Sequence, residues 1–242
     1  MKSESVNNLA DDIIARLASL SERNTESIRA LRREFSKRLS NAPPDFVFRL
    51  ALQLLKRKET VPRFLGYELV QHHREALRSL NSGKLKLLGE GINDWAAVDT
   101  FACYLAGPAW RERQVPDTLI AGWAHSKDRW WRRAALVSTV PLNSKGRGGA
   151  GDTARTLSIC EMLVSDRDDM VVKALSWALR ELTKRDPEAV REFLRTHQTV
   201  LAPRVTREVQ NKLRTGLKNP RSDKLRFVAA GARGRSRNTA RN

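Results

Sequence analysis

Apolar residues recur along this chain at three- and four-residue intervals from end to end, while strict alternation is nearly absent, and this pattern predicts an all-α fold. Leu9, Ile13, Leu17 and Leu20 form one stripe; Ile28, Leu31, Phe35 and Leu39 form a second, which Pro43 and Pro44 stop. Val47, Leu50, Ala51 and Leu54 mark a third helix, and Pro62 opens a fourth carrying Leu65, Leu69 and Ala76. Shorter helices are predicted around Leu85, from Asn93 or Asp94 as N-cap through Leu105, and from Asp117 to His125. The remaining ones are expected near 128–140, 152–165, 169–184, 188–197 and 203–217.

Two segments repeat a pattern. DRWWRRAALVSTV from Asp128 and DMVVKALSWALRE from Asp169 each open on Asp, with a basic residue four positions later and alanines behind it, at an offset of 41. That spacing resembles the second helix of HEAT repeats, whose period is about 40 to 47 residues. Such helix pairs stack into a solenoid with a concave face, and an ordinary helical bundle is the alternative.

Charge sharpens the expectation. The chain of 242 residues carries 45 Lys and Arg against 27 Asp and Glu, a net charge of +18, so a polyanion partner is expected. Residues 220–242 read as a basic, flexible tail: Arg221 to Asn242 hold seven basic residues against Asp223, a net +6. The other +12 belongs to a folded body over residues 1–219, which implies a shaped surface that follows phosphates. Hydrophobic residues make up 40% of the chain, enough for one large core without staples. Cys103 and Cys160 match neither a CxxC pattern nor a disulfide framework. With no apolar run of signal or membrane-spanning length, a soluble, monomeric, cytoplasmic or nucleoid-associated protein is expected.

Several motifs lose their meaning in context. GRGGAG, Gly146 to Gly151, matches GxGxxG and precedes a helix, but the dinucleotide fingerprint needs a preceding strand, and Asp152 stands where a phosphate-binding lysine would be needed. It reads as a flexible loop whose Lys145 and Arg147 touch phosphate. His72, His73, His125 and His197 lack paired ligand spacing, so no metal is expected, and they read as surface or helix-end residues. The six tryptophans carry more. Trp95 lies four residues before Asp99, Trp130 and Trp131 sit beside Arg132 and Arg133, and Trp177 precedes Arg180 by three. In a helix, Trp95 and Asp99 share a face.

Taken together, WAAVD (Trp95 to Asp99), WWRRAA (Trp130 to Ala135) and KALSWALRELTKRDPEAVREFL (Lys173 to Leu194) resemble the HEAT-repeat alkylpurine DNA glycosylases of the DNA alkylation repair family, the AlkD-like proteins. The resemblance spans about residues 45 to 215. It implies a concave basic face on which double-stranded DNA lies, and a cleft of two indoles, a carboxylate and an arginine. By motif, Asp99, Trp95 and Trp177 take the catalytic places, and Arg180 contacts phosphate beside Trp177, with Lys173 nearby on the DNA face. The middle arginine is Arg132 or Arg133. The implied activity is hydrolysis of the N-glycosidic bond of cationic N3- or N7-alkylated purines, without metal or other cofactor. The segment AGPAWRERQVPD (Ala106 to Asp117) and the glycine loop fall outside the pattern. A non-catalytic HEAT-repeat protein that binds bent, branched or gapped DNA is the alternative.

Overall fold

Side-chain caps decide where many of the helices begin. In a computed structural model that describes residues 5–220, the side chains of Ser5, Asn24, Asn81, Asp94, Asp128, Asp152, Asp168 and Asp186 each accept a hydrogen bond from a backbone N–H in the first turn that follows. Each such cap stabilises its helix by about 1 kcal/mol. The elements are α1 Val6–Ala18, α2 Thr25–Arg38, α3 Pro44–Leu55, α4 Thr60–Gln71, α5 Arg74–Arg78, α6 Ser82–Gly89 and α7 Trp95–Phe101. A π-helical turn, Ala102–Ala106, joins α7 to α8 Gly107–Arg111. Then follow α9 Asp117–Ala124, α10 Arg129–Ser138, α11 Val140–Asn143, a 3-10 turn Lys145–Arg147, α12 Thr153–Met162, α13 Asp169–Leu182, α14 Pro187–Thr196 and α15 Pro203–Thr215. Among the described residues there is no strand, and no helix is long and apolar enough to cross a membrane. The basic tail expected beyond residue 220 lies outside the described residues.

The helices form two layers. In one, α2 packs on α4, α4 on α7, α7 on α10, α10 on α13 and α13 on α15; in the other, α1 packs on α3, and α9 on α12. This all-helical arrangement is that of a helical-repeat solenoid, in which each repeat leans on its neighbours. The capping aspartates correct the offset: α10 is capped by Asp128 and α13 by Asp168, so the repeat is 40 residues and Arg133, not Arg132, is the counterpart of Lys173. His73 is one of the expected helix-end residues, its Nδ1 accepting from Ala76 N–H at the start of α5.

The segment around Pro108 explains the π-turn. A proline ring inside an α-helix collides with the carbonyl four residues back and leaves it without a donor. Here the Gly107 N–H bonds to the Ala102 carbonyl, five residues back, and this widened turn lets the helix run on from α7 through Pro108. Gly107 also lets α8 approach α10 and α11, because a Cβ there would lie 2.7 Å from Pro141 Cγ and 2.8 Å from the Ser138 carbonyl oxygen. Gly107→Ala is therefore expected to destabilise the fold by about 1–3 kcal/mol through overpacking. The measurement is the denaturation midpoint, and an unchanged midpoint would show that α8 has room to move.

An aromatic cluster ties α7 to its surroundings. Phe101 packs against Tyr67 at 5.9 Å, Trp123 at 5.8 Å and Trp131 edge-on at 6.0 Å, and Trp123 and Trp131 are 4.9 Å apart. The Tyr67 hydroxyl donates to the Leu88 carbonyl at 2.7 Å, which holds α6 against α4. Trp110 is wholly buried and its Nε1 donates to Asp117 at 2.7 Å. Of the six tryptophans, Trp110, Trp123 and Trp131 thus serve packing.

Candidate nucleic-acid interface and carboxylate site

Three successive helices of the layer that runs from α2 to α15 present a charged residue at the same place. Counting from the capping aspartates Asp94, Asp128 and Asp168, the fifth residue is Asp99 on α7, Arg133 on α10 and Lys173 on α13. Because these helices pack side by side, equal registers place the three side chains on adjacent rungs. Arg133 closes the first gap. Its Nε donates to Asp99 Oδ1 at 2.9 Å and its Nη2 to Oδ2 at 2.8 Å, while Nη1 donates to the Met170 carbonyl at 2.6 Å. One guanidinium therefore touches α7 and the start of α13 from α10. The geometry picks Arg133 as the partner of Asp99. Arg132 turns the other way, onto Asp166 at 2.7 Å and the carbonyls of Ser126 and Lys127 at 3.1 and 2.9 Å.

Burial raises the Asp99 carboxyl above its ordinary pKa, and the Arg133 guanidinium pulls it back down, with Arg147 adding a weaker pull. Trp95, one turn before it, is 58% exposed, an unusual position for an indole. Trp130 is half-buried, with the Arg129 guanidinium 4.8 Å from its ring centroid. Trp177 is half-buried on α13, one turn beyond Lys173, with α10 between it and α7. Lys173 pairs with Asp169 at 2.6 Å.

Arg180 lies in an internal cluster rather than at a bare surface. Its Nε donates to Ser176 Oγ at 3.1 Å and lies 3.8 Å from Glu208, a buried carboxylate that also accepts from Ser176 at 2.6 Å and pairs with Lys218 at 3.4 Å. Burial lowers the Arg180 pKa. A phosphate would meet this arginine only in competition with Glu208.

The glycine loop is held, not loose. Arg111 donates to the Arg147 carbonyl, and Arg185 donates to the carbonyls of Asn143 at 2.8 Å and Gly149 at 2.6 Å. Gly148 adopts φ 80°, where only glycine is unstrained. Asn143 accepts from the Asp152 N–H at 3.0 Å and donates to Thr156 at 2.8 Å, fixing the entry to α12. Helix and 3-10 turn, not strand, precede the GxGxxG match. Its two cations stay outward: Lys145 and Arg147 are exposed, and the Arg147 guanidinium lies 5.5 Å from the centroid of the Tyr104 ring. So the segment from Ala106 to Asp117 and the glycine loop, both outside the sequence pattern, brace each other through Arg111.

Sequence reasoning missed Tyr104, which the π-turn carries just past Asp99, and Arg29, whose Nη2 lies 3.3 Å from the Tyr104 hydroxyl. Counting from the caps would have exposed the matching registers; nothing local signals a contact across 75 residues. Cys103, beside Tyr104, is buried and its thiol is pushed up to about 12, which keeps it protonated and inert. Among the described residues no group of three or more His, Cys, Asp and Glu side chains is placed to hold a metal ion.

No curated protein and no solved structure matches the chain. A family model described as DNA alkylation repair enzyme matches residues 23–213, a span that runs from just before α2 into α15 and takes in all three rungs. With that match across most of its length, the chain belongs to the DNA alkylation repair enzyme family.

Proposed function

We propose that this protein is a monofunctional DNA glycosylase that hydrolyses the N-glycosidic bond of cationic N3- or N7-alkylated purines in double-stranded DNA. The observation that carries the reading is a half-buried carboxylate, Asp99, one helical turn from an exposed indole, Trp95, in a protein of net charge +18. A purine alkylated at N3 or N7 already carries positive charge. When its C1′–N bond breaks, the bonding electrons leave with the base, which becomes neutral, and the positive charge passes to the sugar as an oxocarbenium ion. Water then adds at C1′ and loses a proton. Asp99 stabilises the charge on the sugar as it forms, and the indole faces of Trp95 and Trp177 attract the cationic base or sugar by about 0.5–2 kcal/mol each. Arg133 sets the orientation of the carboxylate. Its fork uses one acceptor site on each oxygen, and an ionised carboxylate has about four, so Asp99 can still meet a cation or a water. Lys145, Arg147 and Lys173 supply phosphate contacts on the same side, and Arg132 and Arg180 reach the backbone only where they leave their present partners.

The pairing with Arg133 also favours a second reading, a non-catalytic module that recognises bent or branched DNA, because it neutralises much of the charge on Asp99 in the resting state. Incubation of the purified protein with methylated duplex and chromatography of the released bases separates the two: 7-methylguanine or 3-methyladenine in solution supports the enzyme, and intact substrate at saturating protein supports the module.

A pH profile adds a signature of Asp99 itself. The carboxylate is the active form, so excision falls as pH drops through its folded pKa, and burial holds that pKa above the usual value. The acid limb of single-turnover excision is therefore expected above the ordinary carboxylate range. Arg133→Met removes the opposing pull and moves the limb to still higher pH. A limb at the ordinary position in both proteins would detach the rate from Asp99.

A further inference from the structure

We infer that Tyr104, Arg29 and Arg147 form a phosphodiester subsite beside Asp99, a three-donor cradle for one backbone phosphate of the bound strand. The inference rests on the reading of this face as a DNA-repair surface, and it adds two residues that no motif marks. Tyr104 is half-buried in the π-turn and is approached from two sides. From α2, Arg29 Nη2 lies 3.3 Å from its hydroxyl oxygen and donates to it, while Arg29 Nε is held by the buried carboxylate of Glu68 at 3.0 Å. From the glycine loop, the Arg147 guanidinium lies 5.5 Å from the ring centroid.

Three features point to an anion. First, Arg147 has no carboxylate within ion-pair distance among the described residues, whereas Arg132, Arg133 and Arg180 all do. Second, the Tyr104 hydroxyl accepts from Arg29, so its own proton is the part left to donate, and no acceptor for it occurs among the described residues. Third, the loop that presents Arg147 is pinned at its carbonyls by Arg111 and Arg185, which fixes the backbone that carries the cation. A tetrahedral phosphate oxygen pair accepts from O–H and guanidinium N–H together, and guanidinium forks suit that geometry. Glu68 is shared between Arg29 at 3.0 Å and Arg32 at 3.4 Å, so this group keeps one net positive charge that adds to that of Arg147, and Tyr104 and Arg29 supply direction. The subsite would hold the strand in register so that the sugar of one nucleotide meets Asp99.

The test uses equilibrium binding and no base release, so it stands apart from the glycosylase reading. Full-length protein is titrated by fluorescence anisotropy against duplexes containing a non-hydrolysable abasic analogue, with one phosphate at a time replaced by a neutral methylphosphonate. At one phosphate close to the analogue, wild type is expected to weaken roughly tenfold, the loss of a charge-assisted contact. Tyr104→Phe and Arg147→Ala should weaken binding to the unmodified duplex by a similar factor. At that same phosphate they should lose nothing further, while losses at other phosphates add as in wild type. If both variants suffer the full methylphosphonate penalty at every position, there is no shared subsite and the inference fails. Should Tyr104→Phe lower the melting temperature, Arg147→Lys at its exposed position carries the same test, since it keeps the charge and loses the fork. A protein that releases no base but shows the coupled phosphate would keep the subsite and lose the glycosylase.

Discussion

Asp99→Asn is expected to slow single-turnover release of a methylated purine by roughly two to three orders of magnitude, with affinity for undamaged duplex unchanged or slightly higher. The substitution keeps the shape of the side chain and removes its charge. If the carboxylate acts on a charge that exists only as the glycosidic bond breaks, its interaction strengthens between the bound state and the transition state, and the loss appears in the catalytic step. Removal of about 3–4 kcal/mol of such stabilisation gives the stated range. Affinity can rise because, with DNA bound as proposed, a negative charge has left the surface that meets phosphate. The asparagine also leaves Arg133 with half of its partner, so the melting temperature is measured in parallel, and rates are compared below the onset of unfolding of the variant. Equal excision rates for the two proteins would remove Asp99 from the chemistry.

Arg133→Met should cost about 3–5 kcal/mol of folding stability, the largest loss expected for any single change here. Arg133 is 6% exposed and makes three hydrogen bonds at 2.6–2.9 Å, two to Asp99 and one to the Met170 carbonyl. Methionine fills similar volume but leaves Asp99 half-buried without its cation, and leaves the carbonyl without a donor. A double-mutant cycle separates pair from packing. Asp99→Asn combined with Arg133→Met removes both charges, so its cost should fall well short of the sum of the single costs. Chemical denaturation of the four proteins is the measurement, and additive costs would mean that the two side chains do not depend on each other.

Much of this was legible in the residues because helices announce themselves locally. The stripes, the prolines after Leu39 and the capping aspartates report on neighbours within one or two turns, and the predicted helices fall close to those observed. The offset of 41 slipped by one because the dipeptide Asp168-Asp169 offers two candidate caps, and only the bond from Met170 N–H to Asp168 decides between them. The choice between Arg132 and Arg133 failed for a related reason. Adjacent helical residues point about a quarter turn apart, and which of them faces α7 depends on how α10 is rotated in the layer. The π-turn could not be read either, although Pro108 stands in plain view, because a proline in a helical pattern more often ends the helix than widens it. The glycine loop misled for want of tertiary contacts: its order comes from Arg111 and Arg185, 36 residues away on either side.

The three-way reach of Arg133 has a consequence for motion. In a repeat array each unit leans on its neighbours, and terminal units, with one neighbour each, open most easily. Arg133 joins α7, α10 and α13 through side chains and a backbone carbonyl, so opening any one of them exposes a buried ion or an unpaired carbonyl in the others. The central helices should then exchange their amide hydrogens as a single cooperative unit, at close to the free energy of global unfolding, while α1 and α14 exchange through cheaper local openings. The carboxylate beside Trp95 would thus sit in the segment of the chain that opens last.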